Sequence, residues 1–462
     1  MRLRLRYAMV FGAAILLADC VEVPTDRCKN AGTQERQANL DVTDYHQWLS
    51  QKAITLGQGE EALVAFSSAK TQGDDPSLSE VRVLRIEADG TIGTICGLGF
   101  SHPVATPGEG LAYDVLTWAT LASSPSDDGT ILVAYSRQPS PETLERELYV
   151  QVLNRNGCTT ENLPPLLLNT STPDVLPAPP VVAAFANEVF VVFWAENPLR
   201  WGASAVPGMM ARKISTVNAE PRLGETTASL TTIGLAVSLG AVASLDTERV
   251  LLSYLYQTDN GNTGAAVTVV NRSLNQGETV RLGAPTAARV VPDYPSIGMA
   301  THGDRALVVW KTRDEAGVER ARGRMARAVG MDVEPAGERF WVSPAGVSVG
   351  SVSVVAIPGR RYLVAFDAVS NRYGPGDGSN VLMTILDEDG VVQFTRFDCH
   401  WPPQPFQVNW EAKDDDQTGP KLVVTPSGAV HGVYTDWGNR SGSDRSGSSI
   451  RAFHLRAEDL SL

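Results

Sequence analysis

Short apolar runs that end in an aromatic recur along the chain, each flanked by polar segments containing Gly, Asp or Asn. They are Ala62-Leu63-Val64-Ala65-Phe66, Ile131-Leu132-Val133-Ala134-Tyr135, Phe190-Val191-Val192-Phe193, Val250-Leu251-Leu252-Ser253-Tyr254, Ala306-Leu307-Val308-Val309-Trp310, Tyr362-Leu363-Val364-Ala365-Phe366 and Val430-His431-Gly432-Val433-Tyr434. Their closing aromatics lie 56 to 69 residues apart. A period of that size marks a repeat array, in which a unit buries its core only against its neighbours.

Each run is preceded by a turn signal and another β-like segment, as with Val352 to Ile357 before Pro358-Gly359 and Leu422 to Thr425 before Ser427-Gly428. The pair predicts a hairpin. A third run follows and closes on Asp89-Gly90, Asn156-Gly157 or Asp389-Gly390, dipeptides that supply the positive φ of tight hairpin turns. A fourth run, such as Arg339-Phe340-Trp341-Val342, leads to the next unit. Four antiparallel strands in each of seven units predict an all-β chain folded as a seven-bladed β-propeller over residues 38–462. The seventh unit ends soon after Ile450 to Leu455, so Ala38 to Val42 are expected to supply its fourth strand.

Residues 1–19 read as an export signal, with Arg2, Arg4 and Arg6 before an apolar run from Ala8 to Leu17. That run is too short to span a bilayer as a helix. Leu17-Ala18-Asp19-Cys20 resembles the lipobox of bacterial lipoproteins, and the resemblance implies a lipid on Cys20. Asp19 departs from it, since a small neutral residue is usual there, so cleavage to a soluble secreted form stands as the alternative. Val21 resembles an outer-membrane sorting signal, and residues 20–37 read as the tether. The expected location is the outer membrane or cell surface, otherwise the periplasm or medium.

Beyond Cys20 the chain has Cys28, Cys96, Cys158 and Cys399, candidates for one or two disulfides in an oxidising compartment. Four cysteines allow three connectivities, and their wide spacing disfavours a zinc site. The formal net charge is −13, and loss of residues 1–19 makes it more negative. Such a surface repels phosphate backbones and excludes nucleic acid as the expected partner.

Gly346-Val347-Ser348-Val349-Gly350 matches a hydrolase serine motif, but no helix pattern follows it, so it reads as a connection between blades. Ser124 to Thr130 superficially resembles a sialidase turn box with the wrong spacing, and a hairpin turn accounts for it. Structural calcium is a secondary expectation at Asp414-Asp415-Asp416, at Asp387 with Asp389, or in the loop from Asp436 to Asp444. Otherwise no metal or cofactor is expected, and no catalytic residue is assigned. The histidines (His46, His102, His302, His400, His431 and His454) lie apart in sequence and form no constellation.

The repeats, over roughly residues 38–458, are similar in architecture to bacterial surface and secreted proteins built of tandem propeller repeats. Loops after the seven apolar runs emerge on one face, which carries Arg137, Trp194, Glu196, Tyr256, Arg313, Asp367, Tyr373, Asp436 and Trp437. Aromatics beside carboxylates and arginines suit a sugar or an extended peptide. The leading expectation is a non-catalytic, envelope-anchored module that binds a protein or glycan. The alternatives are a hydrolase or lyase of extracellular polysaccharide using the same face, and a structural envelope component.

Overall fold

The computed structural model describes residues 36–37, 45–56, 59–72, 75–102, 119–124, 130–137, 147–154, 156–159, 164–170, 175–177, 180–186, 188–198, 208–217, 220–286, 297–369, 378–393, 405–408, 416–437 and 449–460. The chain opens with β1 (Arg36–Gln37). Blade 1 is β2 (Tyr45–Leu56), β3 (Ala62–Gln72), β4 (Asp75–Ile86) and β5 (Ile92–His102); blade 2 is β6 (Ala119–Ser123), β7 (Ile131–Arg137), β8 (Glu147–Leu153) and β9 (Leu166–Thr170). In blade 3, β10 (Val175–Pro177) and β11 (Val181–Phe185) both pair with β12 (Val189–Pro198), followed by β13 (Gly208–Val217) and β14 (Glu220–Leu230). Blade 4 is β15 (Leu235–Ser244), β16 (Arg249–Gln257), β17 (Thr263–Asn271) and β18 (Val280–Arg281); blade 5 is β19 (Ile297–His302), β20 (Arg305–Arg313), β21 (Glu319–Val329) and β22 (Asp332–Trp341). Blade 6 is β23 (Ser348–Ile357), β24 (Arg361–Val369), β25 (Ser379–Leu386) and β26 (Val392–Gln393), with β27 (Phe406–Gln407) also on β25. Blade 7 is β28 (Gln417–Val424), β29 (Val430–Asp436) and β30 (Ser449–Leu455), and a 3-10 turn at Ala457–Asp459 follows.

These seven antiparallel sheets form a seven-bladed β-propeller. The inner strands β2, β6, β11, β15, β19, β23 and β28 touch in succession, and β28 meets β2 to close the ring. Closure is completed by β1, whose Arg36 and Gln37 pair with Ala452 and Arg451 on β30. This strand lies just upstream of Ala38 to Val42, which fall outside the described residues.

The predicted apolar runs are the second strands of the blades. Such strands are buried on both faces because alternate side chains enter the two flanking seams. In β24, Tyr362, Val364 and Phe366 pack toward blade 5, while Leu363 and Ala365 pack toward blade 7. Apolar clusters of this kind fill all seven seams, including the last, where Val64 and Phe66 meet Val433 and Ile450.

The turns follow the expected chemistry. Gly90 adopts φ 80° and its N–H donates to Glu87 O at 2.8 Å, while Asp89 Oδ1 accepts from Thr91 N. Gly390 adopts φ 82° against blade 5, where a Cβ would meet the Phe340 ring at 2.3 Å. Of the cysteines, Cys96 on β5 is bonded to Cys158 in the turn after β8, which ties blade 1 to blade 2. Cys20, Cys28 and Cys399 lie outside the described residues.

Candidate functional site

In each blade the second strand ends where the inner strand begins, so residues at these ends crowd one face of the ring. Trp194 and Tyr256 come from the second strands β12 and β16, and both side chains turn into seams instead of outward. Trp194 is 1% exposed and packs against Leu132 and Leu148, with Nε1 donating to Glu196 Oε1 at 3.2 Å. Asn169 Nδ2 donates to the same oxygen. Tyr256 is fully buried between blades 3 and 4, its hydroxyl pushed up by burial and its ring beneath the Arg281 guanidinium. Their sequence position was that of loop residues, but strand alternation carries both into the core.

Arg313 is exposed and shares Glu319 with Lys311, at 3.6 and 3.3 Å respectively. Arg137 closes β7 in register with Glu147. Tyr373 lies outside the described residues.

Blades 6 and 7 share a polar network at this end. Asp367, the seventh residue of β24, is 4% exposed and accepts hydrogen bonds from Ser351 N at 2.7 Å, from Ser351 Oγ, and from the backbone N–H of Gly419 on β28. A Cβ at Gly350 would lie 2.1 Å from Asp367 Oδ2, so the carboxyl occupies the level of the inner strand. Burial pushes this carboxyl above the usual carboxylate range, and those donors oppose the shift. Asp436 ends β29 and is 2% exposed; Gln417 Nε2 donates to its Oδ1 at 3.3 Å and Arg451 Nε to its Oδ2 at 3.1 Å.

The two carboxyl groups are joined through one inner strand, since Gly419 and Gln417 are two residues apart on β28. Around them Ser379 N donates to Asp416 Oδ1, Ser379 Oγ to Gln417 O, and Trp437 Nε1 to Thr418 Oγ1. Trp437 is thus anchored on β28 and half-buried. Glu196, on blade 3, is not part of this group. On β28, Lys421 is half-buried without a described partner, and desolvation lowers its ammonium pKa to about 8.

The serine motif falls at the start of a strand and not before a helix. Ser348 is exposed at the start of β23 and a strand follows it, whereas Gly350 gives Asp367 its space. At the calcium candidates, Asp387 Oδ1 accepts from Asp389 N and Val391 N and Oδ2 from Gln393 Nε2. Asp414, Asp415 and residues 438–444 lie outside the described residues. No cluster of three metal-ligating side chains occurs among the described residues.

Two features escaped the sequence reading. His431 and His454 face each other across β29 and β30, with Nδ1 atoms 3.2 Å apart. Only the register of the strands brings them together. On β21, Arg320, Arg322 and Arg324 share one face, a placement that the alternation Arg-x-Arg-x-Arg signals.

No family model and no curated protein matches the sequence. Solved structures do resemble the chain in shape. A protein of unknown function from Dyadobacter fermentans is 13% identical, with 92% of this chain and 98% of that chain covered and a TM-score of 0.46. An α-L-arabinanase from Penicillium chrysogenum, complexed with arabinobiose, is 11% identical over 92% and 99%, with a TM-score of 0.46. The intramolecular trans-sialidase from Ruminococcus gnavus is 9% identical over 92% and 98%, again with a TM-score of 0.46. Similarity at this level is one of fold. The expectation of a non-catalytic binding module is corrected and not carried forward, since structures of this shape bear the names of an arabinanase, a trans-sialidase and an acylaminoacyl peptidase as well as one of unknown function. The hydrolase alternative is the one carried forward.

Proposed function

We propose that the chain is a hydrolase of extracellular polysaccharide, acting at the face formed by the ends of the second strands. The observation that carries this reading is the pairing of Asp367 and Asp436 on neighbouring blades, each bonded to β28 but in different surroundings. Glycoside hydrolysis uses two carboxyl groups, one to protonate the leaving oxygen and one to act as nucleophile or as base toward water. Asp367, whose carboxyl burial pushes above the usual carboxylate range, is suited to the first role. Asp436, met by the Arg451 guanidinium, is suited to the second. Half-buried Trp437 offers an apolar ring beside them for a sugar face.

The test is release of new reducing ends from neutral and acidic polysaccharides by the wild type and by the Asp367→Asn and Asp436→Asn variants. Each substitution should lower kcat at least a hundredfold, within the range for loss of a general acid or base, while the melting profile stays cooperative. A wild type inactive on every polymer, or variants as active as the wild type, would remove the reading.

The same proposal places the enzyme outside the cytoplasm, held by a lipid on Cys20. Mass spectrometry of the mature N-terminus should find a diacylated Cys20, and an unmodified terminus at or beyond Val21 would exclude the anchor.

A further inference from the structure

The stripe on β21 faces blade 4 and is joined there by β22. Arg320 and Arg322 lie with their Cζ atoms 4.2 and 4.7 Å from the centre of the Trp341 ring. Arg324 Nη1 donates to Leu282 O at 3.0 Å, which fixes the stripe against blade 4. Gly283 of that blade leaves room for its neighbours, since a Cβ there would lie 3.2 Å from Trp310 Cζ2 and 3.3 Å from Arg339 Nη1. This part of the seam lies toward the candidate face, because β21 starts and β22 ends at that side of the ring.

Charge in this part of the seam is unbalanced. Arg320 is buried and satisfied in part, by Ser343 O at 2.6 Å and Asp314 Oδ2 at 3.5 Å. Arg322 and Arg339 have no carboxylate or carbonyl partner among the described residues, and the Nε atoms of Arg320 and Arg322 are buried without a partner. Burial, then the charges of Arg339 and Arg320, hold the Arg322 guanidinium below its usual range. Such an excess of cations is costly unless an anion completes it. It stands out in a chain whose net charge is −13.

We infer that this seam between blades 4 and 5 is a subsite for an anionic group on a polysaccharide, with Arg322 and the exposed Arg339 holding the anion beside the Trp341 ring. Guanidinium forks suit carboxylate and sulfate oxygens alike, and an indole ring covers an apolar sugar face. The inference rests on the reading that this face takes polysaccharide, and it narrows the substrate to an acidic polymer.

Affinity gel electrophoresis of the full chain tests it, with polygalacturonate, dextran sulfate or neutral arabinan cast in the gel at low ionic strength. The wild type should be retarded by a charged polymer and not by arabinan; the polymer that retards it more tells carboxylate from sulfate. The Arg322→Gln/Arg339→Gln double variant should bind roughly tenfold more weakly or worse, as loss of hydrogen bonds to a charged group implies. Arg339→Glu, confined to an exposed side chain, should weaken binding similarly with an unchanged melting temperature. Equal retardation by arabinan, no retardation by either charged polymer, or undiminished binding by both variants would overturn the inference. Retardation without cleavage would instead count against the hydrolase reading alone.

Discussion

Acid should destabilise this protein through the pair His431 and His454. His431 Nε2 faces Glu60 O at 2.9 Å, and a carbonyl only accepts, so that nitrogen carries the proton. In the neutral ring Nδ1 is then bare and accepts from His454 Nδ1. Protonating the pair would set one N–H against another inside the blade. The groups around the pair are Glu60, Asp89 and Arg456, and no resolved attraction outweighs burial. Burial first, then the neighbouring His431, lowers His454 from 6.5 to about 4, and burial lowers His431 as well.

The sign follows from proton uptake. Below 6.5 the unfolded chain binds a proton at this position, and the folded chain does not until about pH 4. Stability is therefore lost as pH falls through that window, by at most about 3 kcal/mol for His454. In a protein of this size that amounts to roughly 3–6 °C in Tm. Asn at 454 keeps a donor near the position of Nδ1 and removes the titration. Thermal melts at pH 7 and pH 4.5 should show His454→Asn losing several degrees less than the wild type, which cancels the acid effect common to both. Parallel losses in the two proteins, or an NMR titration of His454 near 6.5, would refute the reasoning.

Other predictions follow from single contacts. The Cys96–Cys158 bond spans 62 residues, and a loop of that length restricts the unfolded chain by about 4 kcal/mol; Cys96→Ser/Cys158→Ser should lower the urea midpoint, with the earliest hydrogen exchange at the seam of blades 1 and 2. Lys421→Met removes a cation that burial holds at about 8, so it should raise stability at pH 7 by about 1–3 kcal/mol, measured in the same urea titration. Gly390→Ala forces a side chain into the left-handed region and against Phe340; it should cost about 2 kcal/mol or more, and an unchanged midpoint would show that the turn relaxes freely.

The blades were legible in the sequence because the second strands carry their burial on both faces, from Ala62–Phe66 to Tyr362–Phe366. The turns were legible because Gly90 and Gly390 occupy positions that demand positive φ. The closing strand was located only approximately, since Arg36 and Gln37 have no apolar pattern and are recruited by the free edge of β30. Candidate site residues fared unevenly for one physical reason. Trp194 lies inside β12, which runs on to Pro198, and Tyr256 is the last residue but one of β16; the polar residues that follow each hide the direction of the side chain. Asp367 and Asp436 were identified as residues, but their connection through β28 depends on the packing of blade 6 on blade 7. The histidine pair was invisible because register, not spacing, creates it. The arginine stripe was visible in principle: three arginines at alternate positions of a strand share a face.

The proposed function requires Asp367 and Asp436 to flank a glycosidic bond. A crystal structure of the Asp367→Asn protein with an oligosaccharide cut from the best-retained polymer would show whether they do. A glycosidic oxygen is expected within hydrogen-bond reach of the substituted side chain at position 367, with Asp436 on the other side of the same sugar ring. An oligosaccharide bound away from blades 6 and 7, or one that leaves both side chains sealed beneath their strands, would contradict that arrangement.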